Sequence, residues 1–497
     1  MIARTIEELL YYAIINLDLK KKDLAEKRKQ IFDILQIKES FHGSIDRKAI
    51  AQLPVPDIFV NALNDYSRDV LKLNEEESNR LVTGVMGLLT PSNKIVNEVF
   101  SAYCDITPNL ALDYLYDLSV KNDYIKKTFV ERNITIRTII DGKEIITSIN
   151  LAKPEKNNKD IAKALVKNAK PEGFPSCVLC HENVGFIGGG EYPPRQNLRD
   201  IELNLDDEIW HLQYSPYVYF PYHMIVIDGI HRPMCVCEKN VRHMLSFLDY
   251  YPDCFITSNS DLPIIGGSIL NHEHFQGGKF NSPLFKSPKK EILVSESTRH
   301  AEVSVIDWFS NVLLVKGENK DSVLSQTMKI IDFWRDYSDE MVDIIADDGA
   351  KHNSVTLMAN RKEGAYCMYI CLRNNRCDEK YPQGIFHAHP EHHIIKKEGI
   401  GISEVMGIFI LPARLYRQAK LAEDVASGRL SFAQCIAKYP DMNEFVSMID
   451  KMKKDGISGA EYMSRTCAEI LRNCAVFKND DKGGKAFNRF TERLMKL

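Results

Sequence analysis

The chain has 497 residues, 44% of them hydrophobic and 27% charged, enough to bury a large core and to form more than one folding unit. With 64 basic against 68 acidic side chains its formal net charge is −4, which excludes a general nucleic-acid binder and confines any phosphate site to a local pocket. The most apolar N-terminal run, Leu9 to Leu17, is flanked by Glu7, Glu8, Asp18 and Lys20, so neither a membrane span nor a cleaved leader is expected and the protein reads as cytoplasmic.

In chain order, three regions are expected. Region 1–160 is mostly helical, with 3.6-residue periodicity in Ile6–Ile14 and Asp23–Leu35. Near its end, alternating Ile134–Ile140 and Glu144–Ile149 flank Asp141-Gly142 and predict a hairpin. The polar run Lys153–Asp160 is the candidate linker. Region 165–300 carries short strand-like runs, Glu208–Gln213, Met224–Asp228 and Cys254–Thr257, separated by Pro, Gly, Asn and Ser, which predicts an antiparallel sheet. Region 301–497 opens with Ala301–Trp308, Val355–Met358 and Ala365–Leu372 and turns helical after Pro412.

Twelve cysteines in so long a chain, many beside apolar residues, read as reduced thiols rather than a disulfide frame. Cys177-Val-Leu-Cys180, following Pro171-Glu-Gly-Phe-Pro175, has the spacing with which a zinc knuckle begins. Cys235-Val-Cys237 is too tight for that and is expected in a strand.

The richest segment is Asp261-Leu-Pro-Ile-Ile-Gly-Gly-Ser-Ile-Leu-Asn-His-Glu-His-Phe-Gln-Gly-Gly278. If it is extended, His272, His274 and Gln276 point to one face. One imidazole there could attack phosphorus, its neighbour could hold a metal or phosphate, and an amide could bond an anionic oxygen without taking its proton. The plainer alternative is a buried strand with satisfied histidines. The segment resembles the signature of type II galactose-1-phosphate uridylyltransferases, members of the histidine-triad superfamily, with Ile265 in place of a valine and Asn271 in place of a small residue. Gln213–Tyr217, His231–Met234, the Cys177–Asn183 block, Lys396–Gly407 and Leu411–Leu415 also resemble type II blocks, in the same order.

This resemblance implies an α+β fold, with a duplicated antiparallel-sheet core between a helical N-terminal region and a helical C-terminal segment. It implies that UDP-glucose gives its uridylyl group to an enzyme histidine, releasing glucose 1-phosphate, and that galactose 1-phosphate then takes it to form UDP-galactose. On this pattern His274 is the nucleophile and Gln276 bonds a non-bridging oxygen. Related hydrolases place a proton-shuttling histidine where Gln276 stands, so glutamine argues for transfer over hydrolysis. Gly266, Gly267 and Gly277 can bring backbone amides close to phosphate oxygens, together with the Ser268 hydroxyl. Asn259 is either a uridine or phosphate contact or a turn residue, and Arg195 either a phosphate partner or a solvated loop arginine.

Type I relatives imply a structural zinc held here by Cys177, Cys180, His231 and His272, with His223 competing for the third place. The cluster His387, His389, His392 and His393 is either a second metal site or, with Lys396, Lys397, Glu398 and Glu404, a site for the hexose and its phosphate. In the family these segments complete the site across a homodimer. Two other functions stay open: a nucleotide phosphorylase or hydrolase of the same superfamily, and a non-catalytic zinc-stapled binding module.

Overall fold

The computed structural model describes residues 2–151, 173–267, 269–295, 298–397 and 399–496; the Lys153–Asp160 linker and Ser268 lie outside them. The fold is α+β. Helices fill the first 130 residues, from Ile2–Asn16 to Lys127–Val130. Their starts follow local chemistry: Asn74 caps Glu75–Leu89 in a reciprocal capping box with Glu77, and Thr107 caps the helix that opens at Pro108. Then come strands β1 (Ile134–Ile140) and β2 (Lys143–Asn150), the predicted hairpin, with Asp141 and Gly142 both at positive φ in its turn.

From here one order of elements occurs twice. A three-stranded meander, β3 (Ile201–Leu205), β4 (Glu208–Tyr214) and β5 (Met224–Asp228), precedes helix Glu238–Tyr250 and the antiparallel pair β6 (Phe255–Ser258) and β7 (His274–Gly278). A second meander, β8 (Lys289–Leu293), β9 (Glu302–Ile306) and β10 (Val312–Gly317), precedes helix Lys320–Arg335 and the antiparallel pair β11 (Asn353–Lys362) and β12 (Ala365–Asn374). The duplication expected from the resemblance is therefore present in the order of elements. Strand β13 (Ile408–Pro412) precedes the C-terminal helices, which run from Arg414–Ala426 to Asp481–Leu494.

The described residues fall into two compact units. The first comprises 2–132, 173–218 and 222–231, where the loop at 195–200 is fastened to the N-terminal helices. Asn122 and Asn197 exchange side-chain amide bonds to each other's carbonyl oxygens at 2.7 and 2.9 Å, and Arg199 donates to the carbonyls of Gly87, Thr90 and Pro91. Gly87 is glycine for this reason, since a Cβ there would stand 2.5 Å from the Gln196 carbonyl oxygen.

The second unit comprises 133–151, 219–221 and 232–496. Strand β6 pairs with β11, and β12 with β10, so the two antiparallel pairs and the second meander share one sheet. Strands β1 and β2 form a separate small sheet in which β13 runs parallel to β2. Phe255, Trp308, Tyr369 and Phe409 lie in the unit's apolar core with the helix Gly459–Cys474. The Cys235–Cys237 expectation is corrected: the segment is not a strand, and Cys237 is the extended N-cap of helix Glu238–Tyr250. Its middle residue is fixed instead by a bond from the Val236 amide to Asp261 Oδ2 at 3.0 Å. None of the twelve cysteines is joined in a disulfide, as expected. Among the described residues no helix is long and apolar enough to cross a membrane.

Candidate active site

The signature lies in the second unit, where it forms β7 and the turn before it. Strand β7 begins at His274 and pairs with β6 in the register Thr257 to Gln276 and Phe255 to Gly278, while Thr257 Oγ1 donates to the Gln276 carbonyl at 2.8 Å. His272 precedes the strand, so only His274 and Gln276 gain their shared face from it. Gly277 sits opposite Ile256 in the ladder.

His274 is buried, and its Nδ1 lies 2.8 Å from the His272 carbonyl oxygen. A carbonyl only accepts, so Nδ1 carries the proton and Nε2 keeps its lone pair. Burial lowers the pKa of this imidazole and outweighs the hydrogen bond to His272, which acts the other way. The result is a neutral, oriented ring whose free nitrogen is nucleophilic.

The turn before β7 is tight. Ser260 and Gly266 form a parallel bridge, and a Cβ on Gly266 would stand 2.6 Å from the Ser260 carbonyl oxygen and 2.8 Å from that of Leu262. A Cβ on Gly267 would stand 2.5 Å from Asn259 Nδ2. Asn259 is itself buried, and its Oδ1 has no hydrogen-bond partner among the described residues. A buried amide oxygen left unpaired is costly unless a ligand or water meets it.

The segment 399–404 packs beside this turn. The Cβ position of Gly401 is 3.3 Å from Asn259 Oδ1, and that of Gly399 is 3.7 Å from the carbonyl oxygens of Ile264 and Gly266. Glu404 accepts from the Gly401 amide at 3.0 Å and pairs with Lys396 at 3.2 Å. The structure thus brings Asn259, Gly266, Gly267, Lys396 and Glu404 into one neighbourhood, while Lys397 is exposed.

One group there, Arg373, escaped the sequence reading, and another, His387, was expected only as one of a histidine cluster. Arg373, on β12, is fully buried; it donates to Thr356 Oγ1 at 3.2 Å and the Ile400 carbonyl at 3.0 Å, and its Nε has no partner among the described residues. A lone charge at the end of the apolar run Ala365–Leu372 was the signal. His387 is also buried with both ring nitrogens unpaired among the described residues, and burial, followed by the charge of Arg373, pushes its pKa down to about 4. The Cβ position of Gly384 lies 2.9 Å from His387 Cβ and 3.3 Å from Ile264 Cγ2, which joins this loop to the signature turn.

The other histidines of that cluster do not converge on a common point. Residues 386–389 are not a strand, His389 Nε2 donates to the Ile385 carbonyl and His393 Nε2 to the Ala388 carbonyl, both at 3.0 Å.

In the first unit, Cys177, Cys180 and His231 offer ligand atoms within 4.8 Å of one another. The two sulfurs are 3.6 Å apart, and Cys180 Sγ is 3.2 Å from His231 Nδ1. Backbone amides of Cys177 and Leu179 donate to the sulfurs of Cys180 and Cys177 at 3.2 and 3.3 Å, bonds that stabilise thiolates. This donor set fits a metal that takes thiolate and imidazole ligands. Arg195 is in the same unit; its Nη1 donates to the Tyr124 hydroxyl at 3.1 Å and its guanidinium lies over that ring.

Comparison with known proteins agrees with this arrangement. Residues 60–233 match the family model for galactose-1-phosphate uridyl transferase, N-terminal domain. The chain is 34% identical to the galactose-1-phosphate uridylyltransferase of Caldanaerobacter subterraneus subsp. tengcongensis over 98% of its own length and 97% of the relative's. It is 34% identical to that of Fusobacterium nucleatum over 99% of both chains. With galactose-1-phosphate uridylyltransferase 1 of Streptococcus pneumoniae it shares 38% over 84% of this chain and 85% of that one. A signature strand carrying an oriented histidine, and identity at this level along nearly the whole of two relatives, mean that the chain belongs to the galactose-1-phosphate uridylyltransferase family.

Proposed function

We propose that the protein moves the uridylyl group of UDP-glucose to galactose 1-phosphate through a covalent intermediate on His274, giving glucose 1-phosphate and UDP-galactose in galactose metabolism. The observation that carries this reading is the bond from His274 Nδ1 to the His272 carbonyl, which leaves Nε2 as the free nitrogen of a buried, neutral ring. In the first step the Nε2 lone pair forms an N–P bond to the uridylyl phosphorus, and the P–O bond to glucose 1-phosphate breaks with its electron pair. In the second, an oxygen of the galactose 1-phosphate phosphate group attacks the same phosphorus and the N–P bond breaks. Both leaving groups are weak bases, so neither step needs a proton from the protein.

Gln276 hydrogen-bonds a non-bridging oxygen and, being unable to shuttle protons, leaves the intermediate to wait for a sugar phosphate. Asn259 meets the nucleotide with its unpaired Oδ1, while backbone amides at Gly266, Gly267 and Gly277, with the Ser268 hydroxyl, receive phosphate oxygens. Lys396 and Lys397 supply charge to the hexose phosphate, Glu404 reads sugar hydroxyls, and Arg195 pairs with a nucleotide phosphate. Cys177, Cys180 and His231, with His272 as the fourth ligand, hold a structural zinc, which when bound braces the chain around the nucleophile and takes no part in the reaction. The working form is a cytoplasmic homodimer.

The test is a coupled assay with UDP-glucose and galactose 1-phosphate, following glucose 1-phosphate release by the wild type and by His274→Gly. Wild-type turnover, lost in the variant, supports the reading. A wild type that yields neither turnover nor an acid-labile uridylyl adduct from UDP-glucose ends it.

A further inference from the structure

A second group of ligand atoms lies in the first unit: His181, Asp200 and His211, whose side chains come within 4.8 Å of one another. His181 directly follows the knuckle, Asp200 precedes β3 and His211 is on β4, so three separate pieces of chain meet here. Both imidazoles aim Nδ1 at a single oxygen, Asp200 Oδ2, from 2.6 and 3.3 Å, and the two rings stack at 4.2 Å between centroids. His181 Nδ1 bonds this oxygen. His211 Nδ1 faces the same oxygen at 3.3 Å but makes no hydrogen bond among the described residues, and its ring is only 8% exposed. Two imidazole nitrogens therefore converge on one carboxylate oxygen, an arrangement of ligand atoms that a cation can bridge.

The carboxylate is held as a metal ligand is held. Its other oxygen, Oδ1, accepts from Asn93 Nδ2 at 2.8 Å while the Asp200 amide donates to Asn93 Oδ1 at 3.0 Å, so Oδ2 alone is turned to the imidazoles. His181 is half exposed, which leaves a route for a cation and room for water ligands.

We propose that His181, Asp200 and His211 form a second metal site, distinct from the Cys177 knuckle, that takes a first-row divalent cation through two imidazole nitrogens and one carboxylate oxygen. Two nitrogens and one oxygen with open positions suit zinc, cobalt or nickel and do not suit calcium or magnesium, which prefer all-oxygen shells. A cation there would fasten the residue after the knuckle to the β3–β4 strands. The inference does not rest on the uridylyl-transfer reading, since it needs only these three side chains.

The test uses the full chain, stripped with a chelator and titrated with Co²⁺. Thiolate-bound cobalt absorbs strongly in the near ultraviolet, whereas an all-nitrogen-and-oxygen site gives only weak visible bands, so the two sites are told apart by spectrum. The wild type should bind two equivalents. His181→Ala, at a half-exposed position, with a thermal melt run beside it to show that the variant is folded, should lose the equivalent without thiolate absorption, its Kd rising by at least 10-fold, and keep the other. The double substitution Cys177→Ser, Cys180→Ser should do the reverse. One equivalent in the wild type, or a second equivalent unmoved by His181→Ala, overturns the proposal.

Discussion

Adjacent glycines in the signature turn should respond differently to one added methyl group. In Gly266→Ala the new Cβ meets backbone, with the carbonyl oxygens of Ser260 and Leu262 at 2.6 and 2.8 Å, where an ordinary contact is no closer than 3.4 Å. Relief needs a shift of roughly 0.6–0.8 Å in chain already bridged to itself, and overpacking of that kind costs about 1–3 kcal/mol. In Gly267→Ala the new Cβ meets the tip of a side chain, Asn259 Nδ2, at 2.5 Å. Asn259 can swing aside at a stability cost below about 1 kcal/mol, but its amide then leaves the position from which we propose it meets the nucleotide. Losing the hydrogen bond that this amide oxygen accepts from a neutral N–H or O–H of the nucleotide, about 0.5–1.5 kcal/mol, lowers kcat/KM for UDP-glucose roughly 2- to 10-fold. Both variants are run through the coupled assay and a urea melt. Gly266→Ala should lose mainly stability, and Gly267→Ala mainly kcat/KM. If Gly267→Ala melts as early as Gly266→Ala, or keeps wild-type kcat/KM, then Asn259 has no role in binding and the geometric argument fails.

Three further outcomes follow from the same unit. Gln276→His restores a proton-shuttling group beside the intermediate, so release of UMP from UDP-glucose without acceptor should rise about 10-fold or more; UMP release at the wild-type level would remove glutamine as the reason for transfer. Arg373→Gln leaves Thr356 and the Ile400 carbonyl without their charged donor and should lower kcat/KM by roughly 10- to 100-fold, measured beside a thermal melt that separates misfolding from lost binding. His387 has a folded pKa of about 4 against 6.5 for the free group, so the unfolded chain takes up the proton first as pH falls and stability drops between pH 6.5 and 4, by at most about 3 kcal/mol. Urea midpoints at pH 7 and pH 4.5 should differ less in His387→Gln than in the wild type, and an equal difference in both would assign the acid sensitivity to other groups.

Much of this architecture could be read from local pattern. Strand β5 matches Met224–Asp228 residue for residue as a short apolar run, and β1 and β2 flank the Asp141-Gly142 turn as expected; β1 alternates in burial because a half-buried strand writes its period into its side chains. Strand β8 was missed, since Lys289-Lys-Glu-Ile-Leu293 is exposed at its first four positions and carries no apolar period. The histidine signature was legible as chemistry, but the partner of His274 is a backbone carbonyl, which side-chain spacing cannot show. Arg373 and His387 come into the site from β12 and the loop after it, and Asn93 reaches Asp200 from a helix about 100 positions earlier; such meetings are set by tertiary packing alone.

The parallel pairing of β13 with β2 also bears on how the chain is made. Ile146 finds its partner Ile408 only after about 260 further residues have been synthesised. At roughly 5–20 residues per second this leaves β2 with an unpaired edge for on the order of 10–50 s, although its last six residues are fully buried in the finished protein. An apolar strand waiting that long is open to pairing with another nascent chain. Yield on expression should therefore depend on elongation rate and on chaperone supply more steeply than the stability of the finished protein would suggest.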